Sequence, residues 1–260
     1  MNKVAKRLFL AALFAAPFSG VSAQQHAYNL QNGSLADLIG STSLVADGAH
    51  TTTIGQGISF AASNGFSLGS VFTSGGSYTL VMQFMLNGAT PSSGYQKVVD
   101  FKDQTLDAGY YALGGKANFY PINTGANAVY NTNVFQTTVL TRNVTPGNGS
   151  VFSAYVNGAL QFQFDDNGGL ADFSGTNNIA RFFEDDAATN KAEVGSGILG
   201  CLSTYNTAKA STEIASLATC SVPVIPPVTT TPEPSSLALS LAGLTAVFFA
   251  ARKRKGTITR

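Results

Sequence analysis

From Tyr28 to about Leu217 the apolar positions recur mostly with a period of two, in short runs bounded by Gly, Asn, Asp and Ser. No long stretch in this region carries the 3.6-residue recurrence of an amphipathic helix. The run Tyr78 to Leu86 (YTLVMQFML) puts Leu80, Met82, Phe84 and Leu86 on one face of a strand. Further strands are expected over Gln96 to Phe101, Gly109 to Leu113, Lys116 to Tyr120, Phe135 to Arg142, Ile179 to Phe183 and Gly197 to Tyr205. The clearest unit is a hairpin, in which Val151 to Val156 and Ala159 to Phe164 flank Asn157-Gly158. Asn-Gly supplies the two positive-φ residues of a type I′ turn, and Leu160, Phe162 and Phe164 are then expected to alternate inward. After the last strand a short helix is expected, with Ser211 as N-cap and Glu213 where negative charge suits the helix dipole. Ten or more strands without alternating helices predict an all-β, two-sheet sandwich rather than an α/β fold.

The pattern changes at both ends. Lys3, Lys6 and Arg7 precede an apolar run from Leu8 to Phe18, followed by Val21-Ser22-Ala23. That order describes a secretory signal peptide over residues 1–23, cleaved before Gln24. Extended Pro/Thr-rich chain cannot continue a globular core, so the sandwich domain is expected over residues 24–220 and a linker over residues 221–234. Residues 235–251 are uncharged and almost wholly apolar. As a helix they would span about 25 Å, slightly less than the roughly 30 Å hydrocarbon core, which they can just span. The basic tail, residues 252–260, should stay cytoplasmic and leave the middle of the chain outside.

Charge sharpens this picture. The whole chain of 260 residues has a formal net charge of +1, with 44% hydrophobic and 11% charged residues. Eight of the fifteen basic residues, however, lie at the two ends. Between Gln24 and Thr231 seven Lys/Arg face thirteen Asp/Glu, a net of −6. Such a body repels phosphate backbones, which argues against nucleic-acid binding. His26 and His50 are the only imidazoles, both in polar, loop-like sequence. A zinc site or a Ser-His-Asp relay would need one of them to meet distant partners.

Two resemblances follow from these residues. Pro232-Glu233-Pro234, the apolar segment behind it and Arg252-Lys253-Arg254-Lys255 resemble the PEP-CTERM sorting tail of Gram-negative bacteria. The resemblance implies Sec export, a transient inner-membrane anchor, recognition by an exosortase, and delivery to the cell surface or extracellular matrix. Glu233 is then a sorting determinant with no catalytic role, and a permanent single-pass anchor is the alternative. The body resembles a laminin-G-like, concanavalin A-like jelly roll over most of residues 50–218. The likeness rests on Gly57-Ile58-Ser59-Phe60, the strand Tyr78 to Leu86, Val99-Asp100-Phe101, Gly109-Tyr110-Tyr111, Val139 to Arg142, Tyr155-Val156-Asn157-Gly158, Phe182 to Asp186 and Gly195 to Tyr205. Ala210-Ser211-Thr212-Glu213 departs from the family's helix opening by lacking its Leu and one spacer residue, and the chain has no Trp.

Candidate chemistry is sparse. Cys201 and Cys220 are the only cysteines, and in an oxidising compartment they are expected to form a disulfide worth about 3 kcal/mol in the loop-entropy model. Acidic residues gather in two loops: Asp165, Asp166 and Asp172, then Glu184, Asp185, Asp186 and Glu193. Hard oxygen ligands on loops suit Ca2+, a common companion of the laminin-G family, with Asp185, Asp186 and Glu193 the expected ligands. Asp103 and Asp107 lie on another loop that would have to approach them. A hydrolase would place two carboxylates on one strand face, a relation open to Glu184 and Asp186 at i and i+2. Tyr95, Tyr110, Tyr111, Tyr120 and Tyr130 are candidates for stacking on sugars. The expected function is that of an exported, exosortase-sorted surface or matrix protein with a non-catalytic sandwich that binds exopolysaccharide or surface proteins. A passive matrix component and a glycoside hydrolase are the alternatives.

Overall fold

The computed structural model describes residues 24–217 except 62–63, 89–93 and 175. The expected signal peptide, linker, apolar helix and basic tail lie outside the described residues, as do Pro232, Glu233, Pro234, Arg252 to Lys255 and Cys220. Among the described residues no helix is long and apolar enough to cross a membrane.

Among the described residues, fifteen strands and one α-helix follow in order. They are β1 (Gln24–Asn29), β2 (Val45–Ala46), β3 (Thr52–Thr53), β4 (Gly57–Phe60), β5 (Phe66–Leu68), β6 (Tyr78–Leu86), β7 (Tyr95–Asp100) and β8 (Gly109–Leu113). Then come β9 (Lys116–Tyr120), β10 (Asn123–Ala128), β11 (Gln136–Thr145), β12 (Gly149–Val156), β13 (Ala159–Asp165), β14 (Ala180–Phe182), β15 (Gly197–Tyr205) and α1 (Ser211–Leu217). The first sheet runs β13-β12-β11-β6-β15-β4-β3, with β1 also on β15, and the second runs β10-β9-β8-β7-β14-β5-β2. Every pairing is antiparallel. This is the all-β two-sheet sandwich that the alternation predicts.

Leu80, Met82, Phe84 and Leu86 face inward as expected, and meet Val99, Tyr110, Phe119 and Phe182 of the second sheet in one core. Each such side chain contributes roughly 1.5–3 kcal/mol by leaving water. The opposite face of β6 is also covered, because Val81 packs with Val139, Tyr155 and Ile214 of α1. A strand buried on both faces reads as an almost unbroken apolar run, which explains YTLVMQFML.

Two local expectations are corrected. The hairpin turn forms with Asn157 at φ 50° and Gly158 at φ 82°, yet Leu160 is 51% exposed while Phe162 is 7% exposed. Tyr155 pairs with Leu160 and Ala154 with Phe162, so Gln161 is an extra residue in the strand. The bulge moves Leu160 to the face opposite Phe162. At α1, Ser211 is the first helical residue and not its cap. The Glu213 carboxylate accepts the Ala210 N–H at 2.9 Å, which is one half of a capping box.

Candidate functional site

Acidic residues converge where β14 ends, beside the end of β7 and the starts of the loops flanking β2 and β5. Phe183 follows β14 with φ 57°, an unusual conformation for a bulky side chain. Its ring stacks on Phe60 at 3.7 Å, so Phe182 and Phe183 both enter the core and the chain leaves it at Glu184. Gly65 lets β5 approach this point: a Cβ there would lie 2.2 Å from the Phe182 carbonyl oxygen and 2.6 Å from Glu184 Cγ. The Gly65 carbonyl accepts the Asp47 N–H at 3.0 Å, which brings Asp47 beside Glu184.

One group of charges surrounds Lys97, whose side chain is fully buried. Its ammonium donates to Asp186 and to Asp100 Oδ2 at 3.2 Å, and lies 3.4 Å from Asp185 Oδ1. It also sits 5.2 Å from the centre of the Tyr111 ring, whose hydroxyl donates to Asp107 Oδ1 at 3.0 Å. Burial works against the Lys97 charge, but Asp100, Asp186 and Asp185 outweigh it and hold its pKa above the ordinary value. Burial likewise pushes the Asp186 carboxyl up, while Lys97 and the Ala188 N–H bring it below the ordinary value. Asp107 is raised, chiefly by burial.

A second group surrounds Arg181, the middle residue of β14. Its Nε donates to Asp103 Oδ1 at 2.6 Å and its Nη1 to Glu184 Oε2 at 2.9 Å. Gln104 Nε2 donates to the same Glu184 oxygen at 2.8 Å. The chain reaches this position through left-handed residues at Asp103 and Gln104, held by Asp100 Oδ1, which accepts the Lys102 and Gln104 N–H groups at 2.9 Å each. Burial pushes Glu184 up to about 8, helped by a shared hydrogen bond with Asp47 and opposed by Arg181. Asp47, Gln104, Arg181, Glu184, Asp185 and Lys191 line a cleft of about 200 Å³.

Asp185 and Asp186 of the expected calcium set do come together, and the third carboxylate beside them is Asp107, the three offering oxygens within 4.8 Å of one another. Glu193 joins through its backbone: its N–H donates to Asp185 Oδ2 at 2.9 Å, and its carbonyl accepts the Lys97 N–H at 2.7 Å. The three carboxylates have the hard oxygens that calcium favours, yet the Lys97 ammonium already lies against two of them. Lys97 could have been suspected from sequence as a lysine inside the apolar strand YQKVVD, since a buried lysine needs partners.

Other candidates separate. Asp166 binds Arg142 Nε at 2.7 Å, Asp172 accepts the Gly75 N–H at 2.7 Å, and Asp165 is exposed, so this loop is occupied with local structure. Glu184 and Asp186 lie beyond the end of β14 and hold different partners, so they do not share a strand face. Tyr110, Tyr111 and Tyr130 are buried, whereas Tyr95 is half-buried and Tyr120 exposed. His26 is not a solvated loop residue, since it sits on β1 with Nδ1 2.5 Å from Asp37 Oδ2, and His50 stacks on Phe66 at 4.8 Å. Cys201 is disulfide-bonded, and Cys220, the other cysteine of the chain, lies outside the described residues.

The sandwich is similar to domain 4 of AbnA, a GH43 extracellular arabinanase from Geobacillus stearothermophilus, in complex with arabinotriose. The TM-score is 0.55 at 14% identity, over 76% of this chain and 99% of that one. It is also similar to the receptor binding domain of botulinum neurotoxin C/D mosaic serotype, with TM-score 0.55 and 10% identity over 75% of this chain and 50% of that one. The binding domain of Paraclostridial Mosquitocidal Protein 1 gives TM-score 0.55 and 13% identity over 75% and 51%. The chain thus spans about half the length of the two toxin domains it matches. Identities this low establish the fold alone. No curated protein sequence matches the chain. Residues 230–255 match the PEP-CTERM protein-sorting motif, so the all-β sandwich is joined to a signal that implies export, a transiently membrane-anchored C-terminus and processing by an exosortase.

Proposed function

We propose that this protein is an exosortase-sorted surface or extracellular-matrix protein whose sandwich is a non-catalytic module for binding carbohydrate or a protein partner. The observation that carries this reading is the sorting motif at residues 230–255 joined to a sandwich that matches 99% of a domain seen with arabinotriose. A body charge of −6 favours neutral sugars over polyanions as partners. The separate engagements of Glu184 and Asp186 support a binding role over glycoside hydrolysis, which needs two carboxyl groups flanking one bond. In this reading Lys97 does the neutralising work at the acidic end for which calcium is the alternative. The test is a printed array of oligosaccharides that includes arabinotriose, probed with the full-length chain, together with a pull-down using the exopolysaccharide of the producing strain. Saturable binding in one of them is expected. Blank results in both overturn carbohydrate binding and leave a protein partner or a passive matrix component.

A further inference from the structure

Lys97 is a primary amine kept out of solvent. Its side chain is 0% exposed and that of Asp186 1%, and the two are hydrogen-bonded although 89 residues separate them along the chain. The Tyr111 ring, itself fully buried, covers the ammonium from 5.2 Å. Two more carboxylates flank it: Asp100 Oδ2 accepts a hydrogen bond from Nζ at 3.2 Å, and Asp185 Oδ1 lies at 3.4 Å. Of the three carboxylates Asp186 lies closest to Nζ. Its other oxygen, Oδ1, accepts the Ala188 N–H at 2.7 Å. An amine against a carboxyl group, a second carboxylate in reach of the amine protons, and an N–H on the carboxyl oxygen are the parts of an amide-forming site.

We propose that Lys97 Nζ and Asp186 Cγ condense after folding to an intramolecular amide bond, which ties β7 to the segment behind its neighbour β14. The ion pair is the resting form. One proton moved along the hydrogen bond from Nζ to Asp186 Oδ2 gives the neutral amine and acid, with no change in the total charge of the cluster. The amine lone pair then adds to Cγ, and the negative charge that gathers on Oδ1 is held by the Ala188 N–H. Asp100 takes the proton that the new N–C centre sheds and returns it to the Oδ2 hydroxyl. The Cγ–Oδ2 bond breaks and Oδ2 leaves as water, so one amine and one carboxylic acid become one amide and one water, with no oxidant or activating group. In dilute solution excess water drives this condensation backwards. Groups held together in a folded site reach effective molarities of about 10⁵–10⁸ M, far above that of water, and burial keeps water from returning. The bond closes a loop of 89 residues with a link that denaturant does not break, which suits a domain delivered outside the cell.

The test is mass spectrometry of the full-length chain, purified in its folded state and then reduced and denatured. Wild type is expected about 18 Da below the mass of its sequence, one water lost, whereas Lys97→Arg and Asp186→Ala stand at theirs. Trypsin cuts after Arg181 and Lys191 but not after an acylated Lys97, so the wild-type digest is expected to hold a branched peptide joining residues 182–191 to the peptide that spans Lys97. Fragmentation of that peptide places the branch on Asp186. A folded wild-type chain that trypsin cuts after Lys97, at full sequence mass, overturns the proposal. A loss of water without the branched peptide also overturns it, since that marks a succinimide or a link to Asp100. Both readouts are taken on wild type, so neither requires a variant to fold.

Discussion

Lys97 and Asp100 lie three residues apart on β7, both fully buried, with Nζ 3.2 Å from Oδ2. In a regular strand such residues point to opposite faces. Here Lys97 pairs with Tyr111 and Val99 with Tyr110, so Val98 is an extra residue and the bulge returns Asp100 to the side of Lys97. The bulge assembles the charge cluster, to which the segment after β14 then adds Asp185 and Asp186.

Removing the ammonium should therefore leave buried carboxylates without their counter-ion. Lys97→Met is expected to lose about 3–5 kcal/mol in chemical denaturation. Millimolar calcium or EGTA should leave the wild-type Tm in place, while calcium raises the Tm of Lys97→Met by filling the vacated charge position. A calcium-dependent shift in wild type would return the site to the metal reading.

Glu184 makes stability depend on pH. Its carboxyl is raised from 4.5 to about 8, so between those values the folded protein holds a proton that the unfolded chain has released. Stability should fall as pH rises through this window. Denaturant midpoints measured from pH 5 to 8.5 should fall less steeply in Glu184→Gln than in wild type; parallel curves would show that the carboxyl titrates normally.

The bulge at Gln161 predicts unequal roles for two apolar neighbours. Leu160→Thr is expected within about 0.5 kcal/mol of wild type, and Phe162→Ala to cost about 3–5 kcal/mol. Equal losses in urea unfolding would mean that both side chains face the core.

Sorting can be tested in the producing cell. Glu233→Ala, which alters the centre of Pro232-Glu233-Pro234, should leave the chain unprocessed in the inner-membrane fraction. Wild type should appear as a shorter species at the surface or in the medium. Identical sizes and distributions on immunoblots of fractionated cells would count against exosortase processing.

Strands that are clear apolar runs between turn residues were legible to the residue: β6, β8, β9 and β15 have the expected bounds. The two-residue strands β2 and β3 were not, because Val45-Ala46 and Thr52-Thr53 become strands only by pairing with β5 and β4. In β10 the sequence NTGANA carries almost no apolar signal. At the site, Asp185 and Asp186 were recognisable as a local cluster and Lys97 as a lysine within a strand, whereas Asp47, Gln104 and Arg181 were not. They come from segments scattered over more than a hundred residues, and nothing in any one segment points to the others.

The sorting address, the all-β class and the hairpin are written locally in the chain, because signal composition, period-two alternation and turn chemistry act over a few neighbouring residues. Tertiary structure alone decided the strand order β7-β14-β5-β2, the bulges at Val98 and Gln161, and hence which carboxylates meet Lys97 and which line the cleft. Those outcomes depend on how two sheets pack and on where an extra residue is least costly, which are properties of distant surfaces meeting.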